Sequence, residues 1–417
     1  MNVRDAKYAT WLTRVLVLLA LSALMLGTAL KRGPRPHATS APVTQFTGVR
    51  IIRAPGWSAL FHRRRGWTGA DGIYSHLLSR HEFSSKSPLT LFTFNDTFYG
   101  TVDREGKRSR SHMVTSSAIL TSATRPLANT LRFYYGDGII ERLEMEPSPT
   151  RKTALFPLRG AHPTSRWLWP LDSIVTPKAL LTFAMEVRRT ADPGPFPFTT
   201  EGLRLCTTPL DNGMPRFTDT RCSPTTLFHK NRHRTLFFGA AVLRQHPTPS
   251  SPADEWHYIY GRFETPSPNA ALARVRVGQT SRFKDWQYRD GHNWSRTLSE
   301  SATLGPAAPE YSVTYMTRGP FRGKYLMLLM TGGKTLTLRL ANTPEGPFGR
   351  PVAIYHMRSL SPFKHAYGYN AKAHPHLSRP DALLISCNVN SASFEEVLHH
   401  ADLYRPRFFW LTWEPQP

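Results

Sequence analysis

The feature that most constrains this chain is a two-part pattern that recurs five times in order. A strand-like run carrying one or two polar residues leads through a turn into a more apolar run. GADGIYSHLL precedes LTLFTFNDTF, and WLWPLDSIV precedes KALLTFAMEV. TLFFGAAVLR precedes EWHYIYGRF, EYSVTYM precedes GKYLMLLMT, and YGYNAKAHPHLS precedes DALLISCNVN. The second members begin near residues 89, 178, 255, 323 and 381. Units of that size, each a small sheet that needs neighbours to cover it, suit a radial stack of sheets. The expectation is an all-β chain forming a five-bladed β-propeller, with an irregular β-sandwich as the competing arrangement. Composition agrees. The 35 Pro and 27 Gly among 417 residues oppose long helices. The 48 aromatic residues supply a core that a disordered chain lacks. Strand character is firmest at Leu89–Phe94 and Tyr325–Met330. EEVLHH near Glu395 is the one convincing short helix.

The N-terminus reads differently. Arg4, Lys7 and Arg14 precede an apolar stretch from Val15 to Leu30, the layout of a secretory signal. Trp11 to Leu30 also approaches the ~20 residues that cross a bilayer, so an uncleaved anchor is the alternative. A polar, Pro-containing linker follows. The expected organisation is a signal peptide or membrane anchor at 1–30, a linker at 31–47 and the propeller at 48–417. The chain is then exported, whether periplasmic, extracellular or held on a membrane by residues 11–30. Cys206 and Cys222 flank a turn-rich loop and are disulfide candidates in that setting, with connectivity open. Cys387 lies in an apolar run and reads as a buried thiol.

Four acids interrupt the apolar pattern: Asp71 in GADG, Asp96 in NDTF, Asp172 in WPLDSIV and Glu310 in PEYSV. A charge inside a strand pattern is costly unless paired or functional. Carboxyls that converge raise one another's proton affinity, as general-acid chemistry at neutral pH requires. Glycosidic cleavage uses such a pair. The plainer assignment makes these acids turn caps or backbone ties. YNAKAHPHLS adds Tyr369, Asn370, Lys372 and His374 as candidate ligand contacts. With His376, His374 places two rings on one face if the strand continues, which is weak metal evidence without a third ligand. No metal ligand is assigned; a structural or channel Ca2+ remains compatible. Trp67, Trp169 and Tyr311 sit beside these segments, where a ring can stack on a sugar or pack between blades. No phosphate loop, GxSxG elbow or HExxH is present.

The chain holds 41 Arg and 12 Lys against 29 acidic residues, a formal charge of +24. Nucleic acid is the obvious partner of such an excess, but the Arg residues are dispersed and no recognition motif accompanies them. An anionic envelope surface suits an exported chain better. A monomer that binds polysaccharide and no nucleic acid is expected.

GADGIYSHLL…LTLFTFNDTFYG resembles the leading blade of a group of uncharacterised exported five-bladed propellers with a GADG-x-YS…GDTF pair. DEWHYIYGRF, LANTPEGPFG and YNAKAHPHLS…LLISCNVNS resemble later blades of that group, in the same order. The resemblance spans roughly residues 60 to 412. It departs at Asn95, where Gly is usual, and at Cys387, where an aromatic residue is usual. The group is similar to furanosidase-type propellers and bacterial endo-D-arabinanases. The resemblance therefore implies an exported, glycan-active propeller, a glycoside hydrolase of furanose-containing or related polysaccharide. By resemblance Asp71 and Asp96 match first-blade acids, Asp172 a second-blade acid, Glu310 a fourth-blade acid and His374 the fifth-blade His; on the hydrolase reading Asp71 is base or nucleophile, Glu310 general acid, and Asp96 or Asp172 the tuning group. A non-catalytic carbohydrate-binding or envelope-associated propeller is the alternative on the same scaffold.

Overall fold

The computed structural model describes residues 48–78, 89–122, 126, 130–135, 139–141, 154–158, 165–191, 198–244, 256–265 and 267–414. Residues 1–47, on which the signal or anchor and the linker were expected, lie outside them. Among the described residues no helix is long and apolar enough to cross a membrane.

The described chain is almost entirely antiparallel sheet. Each expected pair of runs forms a hairpin: Tyr74–Leu77 with Leu89–Phe94, Arg166–Val175 with Ala179–Arg189, and Thr235–Arg244 with Trp256–Glu264. Ser312–Tyr315 pairs with Tyr325–Thr331, and Ala366–Ala373 with Ala382–Ser391. The second strands are apolar on both faces because both faces are covered. Along Tyr325–Thr331, Leu326, Leu328 and Met330 enter one core while Tyr325, Met327 and Leu329 enter another. Along Ala179–Arg189, Phe183, Met185 and Val187 face one core and Leu180 and Ala184 a second. Sheets buried between neighbouring sheets in this way are the arrangement of a propeller.

The leading strands touch in sequence. Tyr74–Leu77 meets Arg166–Val175, which meets Thr235–Arg244, then Ser312–Tyr315, then Ala366–Ala373. The ring closes where Asn388 Nδ2 donates to the Ala70 carbonyl at 3.0 Å. The first and last described strands close it too. Val49–Arg53 adds to the last sheet by pairing with Arg407–Trp413. The fold is all-β and propeller-like.

The short helix expected near Glu395 is Phe394–His399, with the Ser393 side chain accepting the Glu396 N–H. Cys206 and Cys222 are opposite each other in one ladder and form a disulfide. Cys387 is buried and reduced. The pair of histidines departs from expectation. The strand ends at Ala373 and Pro375–Leu377 is a single 3-10 turn, because Pro375 cannot donate to a ladder. His374 and His376 therefore do not share a strand face.

Candidate active site

The site begins at a break in the first hairpin. Arg65–Ala70 pairs with Thr97–Val102, and Tyr74–Leu77 pairs with Leu89–Phe94, but the ladder is interrupted between them. Across the gap the Asp71 N–H donates to the Asp96 carbonyl at 3.1 Å, and the Asn95 N–H to the Asp71 carbonyl at 2.9 Å. Gly72 adopts φ +62°, a turn that a side chain would strain, while Asn95 stays out of the left-handed region. The two glycines of GADG differ in purpose. Gly72 makes the turn. A Cβ on Gly69 would lie 2.4 Å from the Tyr404 carbonyl oxygen, so Gly69 admits a neighbouring segment.

The break places two buried carboxyls side by side. Burial drives the Asp71 carboxyl well above its usual range, and the charges of Asp96 and Glu310 push it further. The hydroxyls of Tyr404 and Tyr369 face it and oppose that rise, without closing a hydrogen bond of ordinary geometry. Burial also raises Asp96, to about 7, against the hydrogen bond that Trp169 Nε1 donates to its Oδ1 at 2.9 Å. Trp169 is part-exposed and packs edge-on against Trp167 and Phe198.

Glu310 reaches the same place from just before its strand. The Tyr74 hydroxyl donates to Glu310 Oε2 at 2.8 Å, and Lys372 Nζ stands 3.5 Å from that oxygen. Lys372 also donates to the Tyr311 carbonyl at 3.0 Å and lies over the Tyr74 ring at 4.0 Å. Burial lowers the Lys372 ammonium, and Glu310 and Asp172 work against that. Asp172 borders the group but is tied to the backbone. Its Oδ2 accepts the Val242 N–H at 2.7 Å and its Oδ1 the Ser173 N–H at 2.8 Å, with His76 Nδ1 3.9 Å away. It links the second and third leading strands, the plainer of its two expected assignments.

Asp71, Asp96, Glu310, Trp169, Tyr369 and Lys372 are thus brought together. Asn370 follows Tyr369 at φ +51°, in the bulge that interrupts the ladder between Tyr369 and Lys372. Three expected ligand contacts are placed elsewhere. Trp67 is fully buried and packs with Phe61, Phe94 and Phe133. Tyr311 is fully buried and its hydroxyl donates to the Gly261 carbonyl at 2.6 Å. His374 is fully buried between Ser75 Oγ at 2.7 Å and Ser386 Oγ at 2.8 Å, and burial drives its proton affinity well down. It joins sheets and touches none of the acids.

Two members were not expected. Tyr74 lies in the GADG-x-YS stretch, three residues beyond Asp71 and next to the turn, so its motif held the signal. Tyr404 carries no motif. It reaches Asp71 through a left-handed residue at φ +64°, with its N–H on the Val389 carbonyl and its ring edge-on to Phe98. Among the described residues no group of three or more His, Cys, Asp or Glu side chains is arranged to hold a metal.

A solved structure from Bacteroides ovatus, provisionally labelled a hydrolase, superposes with a TM-score of 0.67 at 19% identity, covering 91% of this chain and 96% of that one. It shares the fold. Looser overlaps occur with an exo-β-1,3-galactanase from Phanerochaete chrysosporium bound to β-1,3-galactotriose, TM-score 0.40 at 10% identity, over 87% of this chain and 64% of that one. A GH43_1 enzyme from Xanthomonas citri complexed with xylose gives 0.35 at 10% identity, over 86% and 93%. Among curated proteins nothing matches the chain. Residues 56–413 match a family model described as a domain of unknown function, DUF5005, and the protein belongs to that family.

Proposed function

We propose that the protein is an exported glycoside hydrolase acting on a furanose-containing or related polysaccharide. The observation that carries this is the meeting of a buried Asp71–Asp96 pair with Glu310, delivered from distant parts of the chain to one point beside a part-exposed tryptophan. Two carboxyls that share a low-dielectric site hold a proton at neutral pH. A third that faces an ammonium is charge-paired. Such separation of acid and carboxylate is what glycosidic cleavage needs.

The pairing favours roles opposite to those expected from the sequence. Asp96, near neutrality and beside Trp169, donates its proton to the leaving glycosidic oxygen. Glu310, between Tyr74 and Lys372, serves as nucleophile or as the base that activates water. Asp71 keeps the proton affinity of Asp96 high, and Asp172 holds strands in place. Trp169 offers the sugar a ring edge or face.

In this proposal the interrupted hairpin counts as one blade. With the four other meanders it makes five, occupying 48–417 behind a signal or anchor at 1–30 and a linker at 31–47. The chain works as a monomer outside the cytoplasm, with an anionic envelope surface as a second partner.

The test is incubation with arabinan, galactan and other envelope glycans, followed by analysis of released oligosaccharides and their anomeric configuration. Release that Asp96→Asn and Glu310→Gln each abolish, with folding intact, supports the assignment. Glycan retention with no release selects the non-catalytic alternative. Full activity in Asp96→Asn overturns the roles.

A further inference from the structure

The Asp71–Asp96 pair has no cation of its own. Among the described residues neither aspartate forms an ion pair, and Asp71 Oδ1 is buried without a hydrogen bond of ordinary geometry. The nearest cations are committed elsewhere. Lys372 stands 3.5 Å from Glu310 Oε2, and Arg262 Nη2 donates to Glu264 Oε1 at 3.0 Å. Asp71 instead faces more of its own charge, from Asp96 and from Glu310. The other groups that face it are phenols. Tyr369 and Tyr404 turn their hydroxyls to it. Tyr367, whose ring centroid is 5.6 Å from that of Tyr369, also feels its charge.

These groups form the base of a narrow opening. Asp71, Asn95 and Tyr367 keep 6% of their surface exposed and Glu310 and Tyr369 keep 8%, with Asp96 at 2% and Tyr404 at 0% behind them. A tyrosine hydroxyl accepts as well as donates. A ligand group with positive charge and several N–H donors therefore meets two needs at once. Ionised Asp71 gains a counter-charge, and the phenol oxygens gain donors. A primary ammonium has three such donors and no acceptor, and tyrosine rings attract it. A neutral sugar hydroxyl supplies a donor but does not relieve the repulsion among three carboxyls. A metal ion fits less well, because among the described residues no three His, Cys, Asp or Glu side chains are arranged to hold one.

We propose that the sugar unit bound at Asp71 carries a free ammonium group, so that the substrate is a polysaccharide of non-acetylated amino sugar. The ammonium sits on Asp71 between the hydroxyls of Tyr369 and Tyr404. This rests on the hydrolase reading and names its substrate class. It also places the proton of the pair. A cation on Asp71 holds that carboxyl ionised and leaves the shared proton on Asp96, next to the leaving oxygen. An N-acetyl group removes the charge and adds bulk, so acetylated units are rejected.

The probes are glucosamine and galactosamine, titrated calorimetrically into the full chain, with their N-acetyl forms, galactose, arabinose and calcium chloride in parallel. One of the amines should bind about tenfold or more tighter than its acetylated and neutral counterparts. Its affinity should rise from pH 5 to about 7, as the carboxyl pair gives up protons, and fall again as the sugar amine loses its own. Asp71→Asn should abolish the preference. Tyr404→Phe keeps the carboxyl and should weaken the amine a few-fold while leaving neutral sugars unchanged, so it reports even if Asp71→Asn folds poorly. Equal binding of neutral or acetylated sugars, no binding of either amine, a preference that survives Asp71→Asn, or tighter binding of calcium overturns the proposal. Adding chitosan to the glycan panel separates the two readings. Release from arabinan or galactan with no preference for amines keeps the hydrolase and overturns the ammonium site. Amine binding that needs Asp71, with no glycan released, keeps the ammonium site and overturns the hydrolase.

Discussion

Replacing Asp96 by Asn is expected to stabilise the protein at pH 8 while removing glycan release. Burial raises the Asp96 carboxyl from 3.8 to about 7. In the unfolded chain it returns to its ordinary value, so between those limits unfolding releases a proton. The contribution is therefore complete below about pH 4 and is lost as pH climbs to about 7, at roughly 1.4 kcal/mol per pH unit. The full span is on the order of 4 kcal/mol. Asparagine is nearly isosteric, does not titrate, and its carbonyl still accepts Trp169 Nε1. Asp96→Asn should nearly match wild type near pH 4.5, gain steadily up to about pH 7 and level off above it. Because Asp71 loses a repelling neighbour, its own penalty should also fall. Urea unfolding at pH 4.5, 6 and 8 reads this as a shift in midpoint at unchanged slope. The difference between wild type and variant cancels the titration of the carboxyls that do not interact with Asp96, and leaves that of the Asp71–Asp96 pair. A difference that stays flat between pH 5 and 8, or a variant less stable than wild type at pH 8, would refute the account of a strained carboxyl pair. Stability gained where activity is lost is what an active site built at the expense of stability predicts.

Gly69→Ala places a methyl 2.4 Å from the Tyr404 carbonyl and 2.6 Å from Arg108 Nη2, and overpacking of about 1–3 kcal/mol should lower the melting temperature. Arg108 donates to the carbonyls of Val397, Thr68, Ala401 and Leu403. Arg108→Leu strands buried acceptors at roughly 1–3 kcal/mol each, and hydrogen exchange should show 394–404 opening first. Trp169→Phe removes the hydrogen bond that favours ionised Asp96, so carboxyl NMR should show Asp96 titrating higher. Cys206→Ser/Cys222→Ser opens a loop with a sequence separation of 16 and should cost about 3 kcal/mol, matched by wild type under reductant.

Most of the strand order was legible because polar-bearing runs and apolar runs follow each other in pairs. The leading strands carry isolated polar residues in buried runs, and the second strands, largely apolar, announce cover on both faces. Arg166–Val175 and Thr235–Arg244 coincide with runs read from sequence alone. The site was half legible. Asp71, Asp96 and Glu310 stand out as acids in apolar surroundings, which is a chain-local signal. Trp67, Tyr311 and His374 were misplaced because sequence neighbourhood to an acid says nothing of direction. Each points to the far side of its strand or turn, into the wall. Tyr404 was illegible for the converse reason. Its place is set by a left-handed residue and by close approach to Gly69, both of them tertiary facts.

The charge excess had a structural share that composition concealed. Several arginines act as buried tethers on backbone carbonyls. Arg405 joins Thr68 and Arg63, and Arg339 joins Gly349, Pro306 and Phe348. Arg262 reaches Pro309. A guanidinium has five donors in a fixed fork and satisfies several carbonyls at once, whereas an ammonium cannot span them. That accounts for arginine outnumbering lysine where irregular segments such as 400–405 must be fastened to a sheet. Burial lowers Arg108 to about 9 and Arg405 to about 10, so both remain cationic at neutral pH on the Thr68 carbonyl of the strand that leads to Asp71. The same residue type also packs on indoles in the third sheet, where Arg274 lies over both Trp256 and Trp294. Part of the positive charge therefore fastens the acidic site in place, and a separate part faces outward.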